Sequence, residues 1–430
     1  MPQISNAAAR PEARAPGEHP SRQQTPDRRM RILSVTQAYY PFADLGGPTV
    51  KVRSLARGLA ADGHSVTVLT VDHGLDPEKR NIIRAVPVPL GFEAREDGVR
   101  ALYLATKFRY RALTWNPGVA AFCREHLARF DVVHIYGLYD LLGPRVAVAC
   151  RRLGRPYVVE PMGMFQPIVR SIRMKRAYHA MFGRTMLNGA AHLIATSEQE
   201  RRELLEGGIA DHKIVVRRNG IDTPAEFPSP GSFRNQWNIS PKVKLVLFLG
   251  RLVSKKSPDL LIEAFAGWLR RRPGGSAAIL VFAGPDEGDG FRQQLETLVA
   301  EKGLQGMVVF TGPLYEHAKW AAYRDADLFV LPSQNENFGN TAAEAVVCGT
   351  PVLVTDRCGI APLVGGRAGL VVSHDCAALE AGLAKILDDS EIHGRLRAGC
   401  VEVAASLSWA EPLKIMEGVY QDLAREAEPG

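Results

Sequence analysis

The chain has 430 residues, 46% of them hydrophobic and 23% charged, with a formal net charge of +7. Its length suits two domains rather than one, and its balance is that of a soluble globular protein. No run approaches the roughly 20 apolar residues that cross a bilayer, which excludes an integral membrane protein. The basic charge comes without a recognition-helix, zinc-finger or RNA-binding motif, so nucleic acid is not an expected partner.

Residues 1–29, rich in Pro, Arg, Gln and Ala, lack hydrophobic periodicity and are expected to form a disordered tail. Arg28-Arg29 imitates an export signal, but the apolar run behind it ends at Gln37 and no small-residue cleavage site follows. From Arg31 onward, short apolar runs predict strands at Arg31–Thr36, Ser65–Thr70, Asp131–Tyr136, Tyr157–Glu160, His192–Ala195 and Lys213–Val216. Helical patterns fit between them at Thr49–Ala61, Val119–Arg129, Leu141–Leu153, Pro167–Asn188 and Ser197–Glu206. A turn-rich passage with Pro224, Pro228 and Pro230-Gly231 then interrupts the alternation.

The pattern restarts with strands at Lys244–Gly250, Ile279–Gly284, Met307–Thr311, Leu328–Leu331, Pro351–Thr355 and Gly369–Val372. Helices fit at Ser257–Arg271, Gly290–Lys302, Glu316–Arg324, Thr341–Cys348 and Cys376–Leu387. Two βα series predict two Rossmann-like, doubly wound parallel-sheet domains, over residues 30–225 and 226–408. A closing helix at 409–430 is expected to pack back on the first domain. Such sheets bind ligands beyond the carboxyl ends of their strands, so two facing domains share one cleft.

The passage Leu331-Pro-Ser-Gln-Asn-Glu336-Asn-Phe-Gly339-Asn-Thr-Ala-Ala-Glu344-Ala leads from a strand end through a polar loop into a helix. The unpaired N–H groups of Asn340 and Thr341 and the helix dipole make an anion site suited to pyrophosphate. Gly339 removes the Cβ that would obstruct it. Glu336 and Glu344 flank that site, where a carboxylate is useful for accepting from vicinal hydroxyls. On spacing alone, two acidic residues favoured by a helix dipole account for the pattern equally well. Arg251 and Lys256 follow a strand end, in a loop that should open into the cleft. Aimed at a departing diphosphate they would stabilise its growing charge; solvated surface cations are the plainer account. Gly46-Gly47 after the first strand is by itself a tight turn, and His134 in its apolar strand by itself a core histidine.

The segment from Glu336 to Glu344 resembles the E-x7-E signature of retaining glycosyltransferases of family 4, which have the GT-B fold. The resemblance extends over Arg218-Asn-Gly-Ile-Asp222, Leu249-Gly-Arg-Leu, Ala326-Asp-Leu-Phe-Val-Leu-Pro-Ser333 and Cys348-Gly-Thr-Pro-Val352, roughly from Arg31 to Trp409. It implies Arg251 and Lys256 on the diphosphate and Glu344 on the ribose, with Glu336 on the transferred sugar. It also implies that the backbone at Phe338, Gly339 and Asn340 fixes diphosphate and sugar, and that Gly46 and Gly47 lie near the phosphates. His134 matches the first histidine of a family H-x-H pair, whose second member is here Tyr136; a sugar-orienting role is expected for it. No cofactor is implied, the nucleotide diphosphate sugar being the donor substrate. Asp325-Ala-Asp327 imitates a D-x-D metal motif of another fold but closes a helix, and no cation cage is expected.

The six cysteines form no C-x-x-C pair and read as small buried hydrophobes in a reducing, cytoplasmic compartment. From Pro161 to Ser197 no acidic residue occurs. Arg170, Arg173, Lys175, Arg176 and Arg184 mix there with apolar residues, a pattern suited to an anionic membrane face or to a solvated basic helix. The expected activity is sugar transfer to a glycan or lipid-linked acceptor in cell-surface polysaccharide or glycolipid synthesis. A GT-B nucleotide-sugar epimerase and an inactive nucleotide-sugar-binding subunit are the alternatives.

Overall fold

The computed structural model describes residues 29–42, 47–110, 113–166, 172–272 and 277–427. The expected tail, apart from Arg29, and Gly46 lie outside them. The first sheet contains β1 (Arg31–Val35), β2 (Ser65–Val71), β3 (Val86–Val88), β4 (Gly91–Glu96) and β5 (Val99–Leu104). A separate hairpin follows, β6 (Phe108–Tyr110) and β7 (Leu113–Trp115). The sheet resumes with β8 (Val132–Tyr136), β9 (Tyr157–Glu160), β10 (His192–Ala195) and β11 (Ile214–Val216). Its order is β11-β10-β9-β8-β1-β2-β5-β4-β3. All pairs are parallel except those of β4 with β3 and β5.

The second sheet is parallel throughout: β12 (Lys244–Leu249), β13 (Ala278–Ala283), β14 (Val308–Gly312), β15 (Leu328–Leu331), β16 (Val352–Thr355) and β17 (Gly369–Val372). Its order is β14-β13-β12-β15-β16-β17. These strands form because they are short apolar runs buried on both faces, as β15 and β16 are at every residue. Strand order reverses beside β1 and β8 in one sheet and beside β12 and β15 in the other. Those reversals open the crevices where ligands settle.

Residues 86–115 carry five strands that the apolar-run criterion passes over. β3 and β4 lie at the sheet edge with mostly half-exposed side chains, so charged residues interleave the apolar ones. Asp97-Gly98, both at positive φ (50° and 77°), joins β4 to β5. That dipeptide is the strongest short-range hairpin signal in the stretch. The helix expected over Pro167–Asn188 is continuous where described, from Ile172 to Gly189, with a π-helical turn at His179–Gly183; its first residues lie outside the described ones. A helix at Ser390–Ala405 was not anticipated; it buries only Leu396, Cys400 and Val403, so its apolar stripe is thin.

The last helix, Ala410–Glu426, buries Met416, Tyr420, Leu423 and Ala424 with the core of the first sheet. Glu417 meets His64 at 3.1 Å on the same face. The six cysteines are buried or half-buried and unpaired.

Candidate active site

Helices and turns that follow strand ends supply the cleft. The first helix, Gly47–Ala61, follows β1, and the helix Asn340–Val347 follows β15. They start against each other: a Cβ built on Gly47 would lie 3.0 Å from Asn340 Nδ2. Asn219 Nδ2 donates to Asn340 Oδ1 at 3.0 Å, and Asn335 Nδ2 to Glu203 Oε1 at 3.1 Å, across the same divide. Neither helix has an acidic residue in its first turn, so both positive dipole ends face the gap uncancelled. Thr49 Oγ1 and Thr341 Oγ1, in those two first turns, are buried without a hydrogen-bond partner. Buried hydroxyls are rarely left so, and a ligand oxygen here would satisfy them.

Gly339 caps the second helix at φ 104°, ψ 51°, a left-handed conformation that favours glycine. Phe338 is 2% exposed and packs into the second core, leaving only its backbone to the cleft.

Lys256 ends a 3₁₀ turn, Ser254–Lys256, beyond β12. Its Nζ donates to Glu336 Oε2 at 2.6 Å, the two side chains being 16% and 20% exposed. Arg251 donates to Glu287 Oε1 at 2.6 Å and is largely exposed. The neighbouring Lys255 is half-buried, and burial pulls its ammonium below the usual lysine range. Glu344 accepts from Lys319 Nζ and from the Tyr323 hydroxyl, both at 2.9 Å. Tyr323 is fully buried, and burial with the adjacent Glu344 raises its hydroxyl well above the ordinary tyrosine value. Sequence reasoning missed Lys319 and Tyr323, although they sit one helical turn apart, at i and i+4.

The structure brings Gly47 to Asn340, beside Gly339 and Thr341, and Lys256 to Glu336 in the loop that leads into the same helix; Glu344 pairs with Lys319 and Tyr323 one turn into that helix, and Arg251 pairs with Glu287. His134 is the correction. It is 0% exposed, shares a 2.6 Å hydrogen bond between Nδ1 and the Tyr420 hydroxyl, and stacks on Tyr136. Glu160 lies 3.5 Å from its Nε2 and is also bound by Lys51 and Arg217. Burial drops the imidazole to about 3, so it stays neutral. The last helix closes over this residue, a contact that no local pattern around His134 reveals.

Asp325 accepts from the backbone of Gly231, Phe233 and Arg234. Asp327 accepts from Arg234 Nη2 and Leu245 N. Asp325 is therefore consumed at the start of a short helix, Ser232–Gln236, and Asp327 in joining that helix to β12. Among the described residues no group of three or more His, Cys, Asp or Glu could hold a metal ion, and no helix is long and apolar enough to cross a membrane.

Two largely parallel α/β sheets facing across such a gap define the GT-B class of glycosyltransferases. Solved structures of similar fold include a sucrose-phosphate synthase from Thermosynechococcus elongatus (TM-score 0.70, 23% identity, 93% of this chain and 100% of that one). Anabaena HepE in complex with UDP and glucose is another (TM-score 0.70, 18% identity, 92% and 100%). Residues 46–220 match the glycosyl transferase 4-like domain, and residues 231–402 match glycosyl transferases group 1. D-inositol 3-phosphate glycosyltransferase of Thermobispora bispora is 30% identical over 403 residues, 88% of this chain and 90% of that protein. Its counterpart from Frankia alni is 31% identical over 387 residues, 85% and 92%. The chain belongs to the family 4 glycosyltransferases, and it is a glycosyltransferase.

Proposed function

We propose that this glycosyltransferase takes a sugar from a nucleotide diphosphate donor and passes it, with retention and without a metal, to a glycan or lipid-linked acceptor. The setting we propose is cell-surface polysaccharide or glycolipid synthesis in the cytoplasm, at an anionic membrane face. The observation that carries the reading is the Lys256–Glu336 pair beside the start of the Asn340–Val347 helix. A diphosphate would take over Lys256 and the helix N–H groups, releasing Glu336 to accept from sugar hydroxyls. Arg251 would turn from Glu287 to the same phosphates, and Glu344 would accept from the ribose.

As the bond from the anomeric carbon to the phosphate oxygen breaks, charge grows on the diphosphate. Fixed cations and helix dipoles stabilise that charge more than they stabilise the ground state. The acceptor oxygen bonds to the same face, and its proton passes to the departing phosphate oxygen. Neither Glu336 nor His134 then serves as a nucleophile. The test is transfer with a panel of nucleotide sugars, the anomeric configuration of the product being read by NMR. Inversion would refute retention. Interconversion of donor without acceptor would favour an epimerase, and inertness toward every donor would favour a binding subunit.

A further inference from the structure

We infer that the β6–β7 hairpin is a docking element that seats this chain on an anionic lipid bilayer; this rests on the membrane-face reading above and gives it a location. Side chains alternate across strands. The pairing Phe108↔Trp115, Arg109↔Thr114 and Tyr110↔Leu113 therefore puts three aromatic rings on one face and the polar pair on the other. The polar pair is tied to the body of the domain, Thr114 by burial and the exposed Arg109 through its contact with His73. Thr114 is 3% exposed and meets Gln37 Nε2 at 3.0 Å and Asn116 Oδ1 at 2.7 Å, while Arg109 contacts His73. The aromatic face turns to solvent, with Phe108 65%, Tyr110 53% and Trp115 45% exposed.

That is the reverse of an ordinary surface hairpin, and a contiguous outward apolar face marks an interaction site. Its base is rigid: Asn116 Nδ2 donates to Leu104 O and Ala105 O, and Lys107 N donates to Trp115 O at 3.0 Å. The hairpin rises from the carboxyl end of β5, the edge of the sheet that faces the cleft.

Its surroundings are basic. The Arg145 guanidinium lies 3.7 Å over the Trp115 ring. The helix carrying Arg145, Leu142–Arg152, packs on the segment Arg184–Gly189. Just before that segment, Met174 and Met181 are exposed among Arg173, Arg176 and Arg184. No acidic residue occurs from Val99 to Arg124, from Leu141 to Val159 or from Pro161 to Ser197. Aromatic rings beside cations suit the interface of an anionic bilayer, where rings enter the headgroup boundary and cations meet lipid charge. A second copy of this face would bring cation to cation.

Sedimentation of the full chain with phosphatidylglycerol or phosphatidylcholine vesicles tests the assignment. Wild type should pellet with phosphatidylglycerol far more than with phosphatidylcholine, and salt should weaken it. The double variant Phe108→Ser, Tyr110→Ser should lose at least about tenfold in that affinity. Both changes are at exposed side chains, so its melting shift with nucleotide sugar, read without lipid, should match wild type. Equal sedimentation of variant and wild type, or of wild type on the two lipids, overturns the assignment. So does a wild-type dimer that the double variant loses, which would give the face to a second copy. A failed donor reading would appear in the lipid-free melting shift alone.

Discussion

Two lysine–glutamate pairs sit on opposite sides of the cleft. Lys256–Glu336 is 16% and 20% exposed, whereas Lys51–Glu160 is 5% and 0% exposed and shares its carboxylate with the buried Arg217. The chemistry is the same and the dielectric surroundings differ. A part-exposed pair can open, because water or a ligand repays each ion as it leaves its partner. A fully buried pair cannot, because separating it strands a charge in the interior. One pair is fit for exchange with a substrate, and the other is a fixed part of the scaffold below the last helix.

The comparison breaks most clearly at Glu160. Glu160→Ala leaves Lys51 and Arg217 buried without their anion and should cost about 3–5 kcal/mol of stability, read from urea unfolding. An unchanged urea midpoint would place the strength of that region elsewhere. Acid sharpens the point. Burial alone would raise the Glu160 carboxyl from its ordinary 4.5, but Arg217 and Lys51 push it down to about 2. Its stabilising contribution is therefore complete above about pH 4.5 and is lost as pH falls toward 2. Wild type should lose more stability across that window than Glu160→Gln, and parallel urea midpoints for the two proteins would contradict the assignment.

Lys256→Ala should do the opposite, lowering turnover by about 10²–10³ with a small change in melting temperature, since it removes one leaving-group contact. Turnover within about tenfold of wild type would take Lys256 out of the leaving-group site. Glu344→Ala comes next, weakening nucleotide binding by about tenfold in calorimetry through loss of charged hydrogen bonds to the ribose. Affinity equal to wild type would leave Glu344 only its ties to Lys319 and Tyr323. Smallest is the effect of excess chelator, expected to be nil on initial rates because Lys256, Arg251 and two helix starts supply the positive charge; a strict need for divalent cation would overturn the metal-free proposal.

The sequence alone determined the two βα series and their central strands, because a strand buried on both faces reads as a short apolar run, and Leu328–Leu331 carries that mark itself. It also determined the loop-to-helix passage from Glu336 to Glu344, whose glycine and spacing are local. Tertiary structure decided the rest. The strands at 86–115 escaped notice because edge strands and hairpins dilute their apolar residues. Which face of β6 and β7 looks outward depends on Gln37 and His73, far away in the chain. Glu336 acquires its partner from the turn beyond β12, and His134 is enclosed by Tyr420 from the last helix, 286 residues on. Burial and pairing are set by distant neighbours, so they are decided only when the chain has folded.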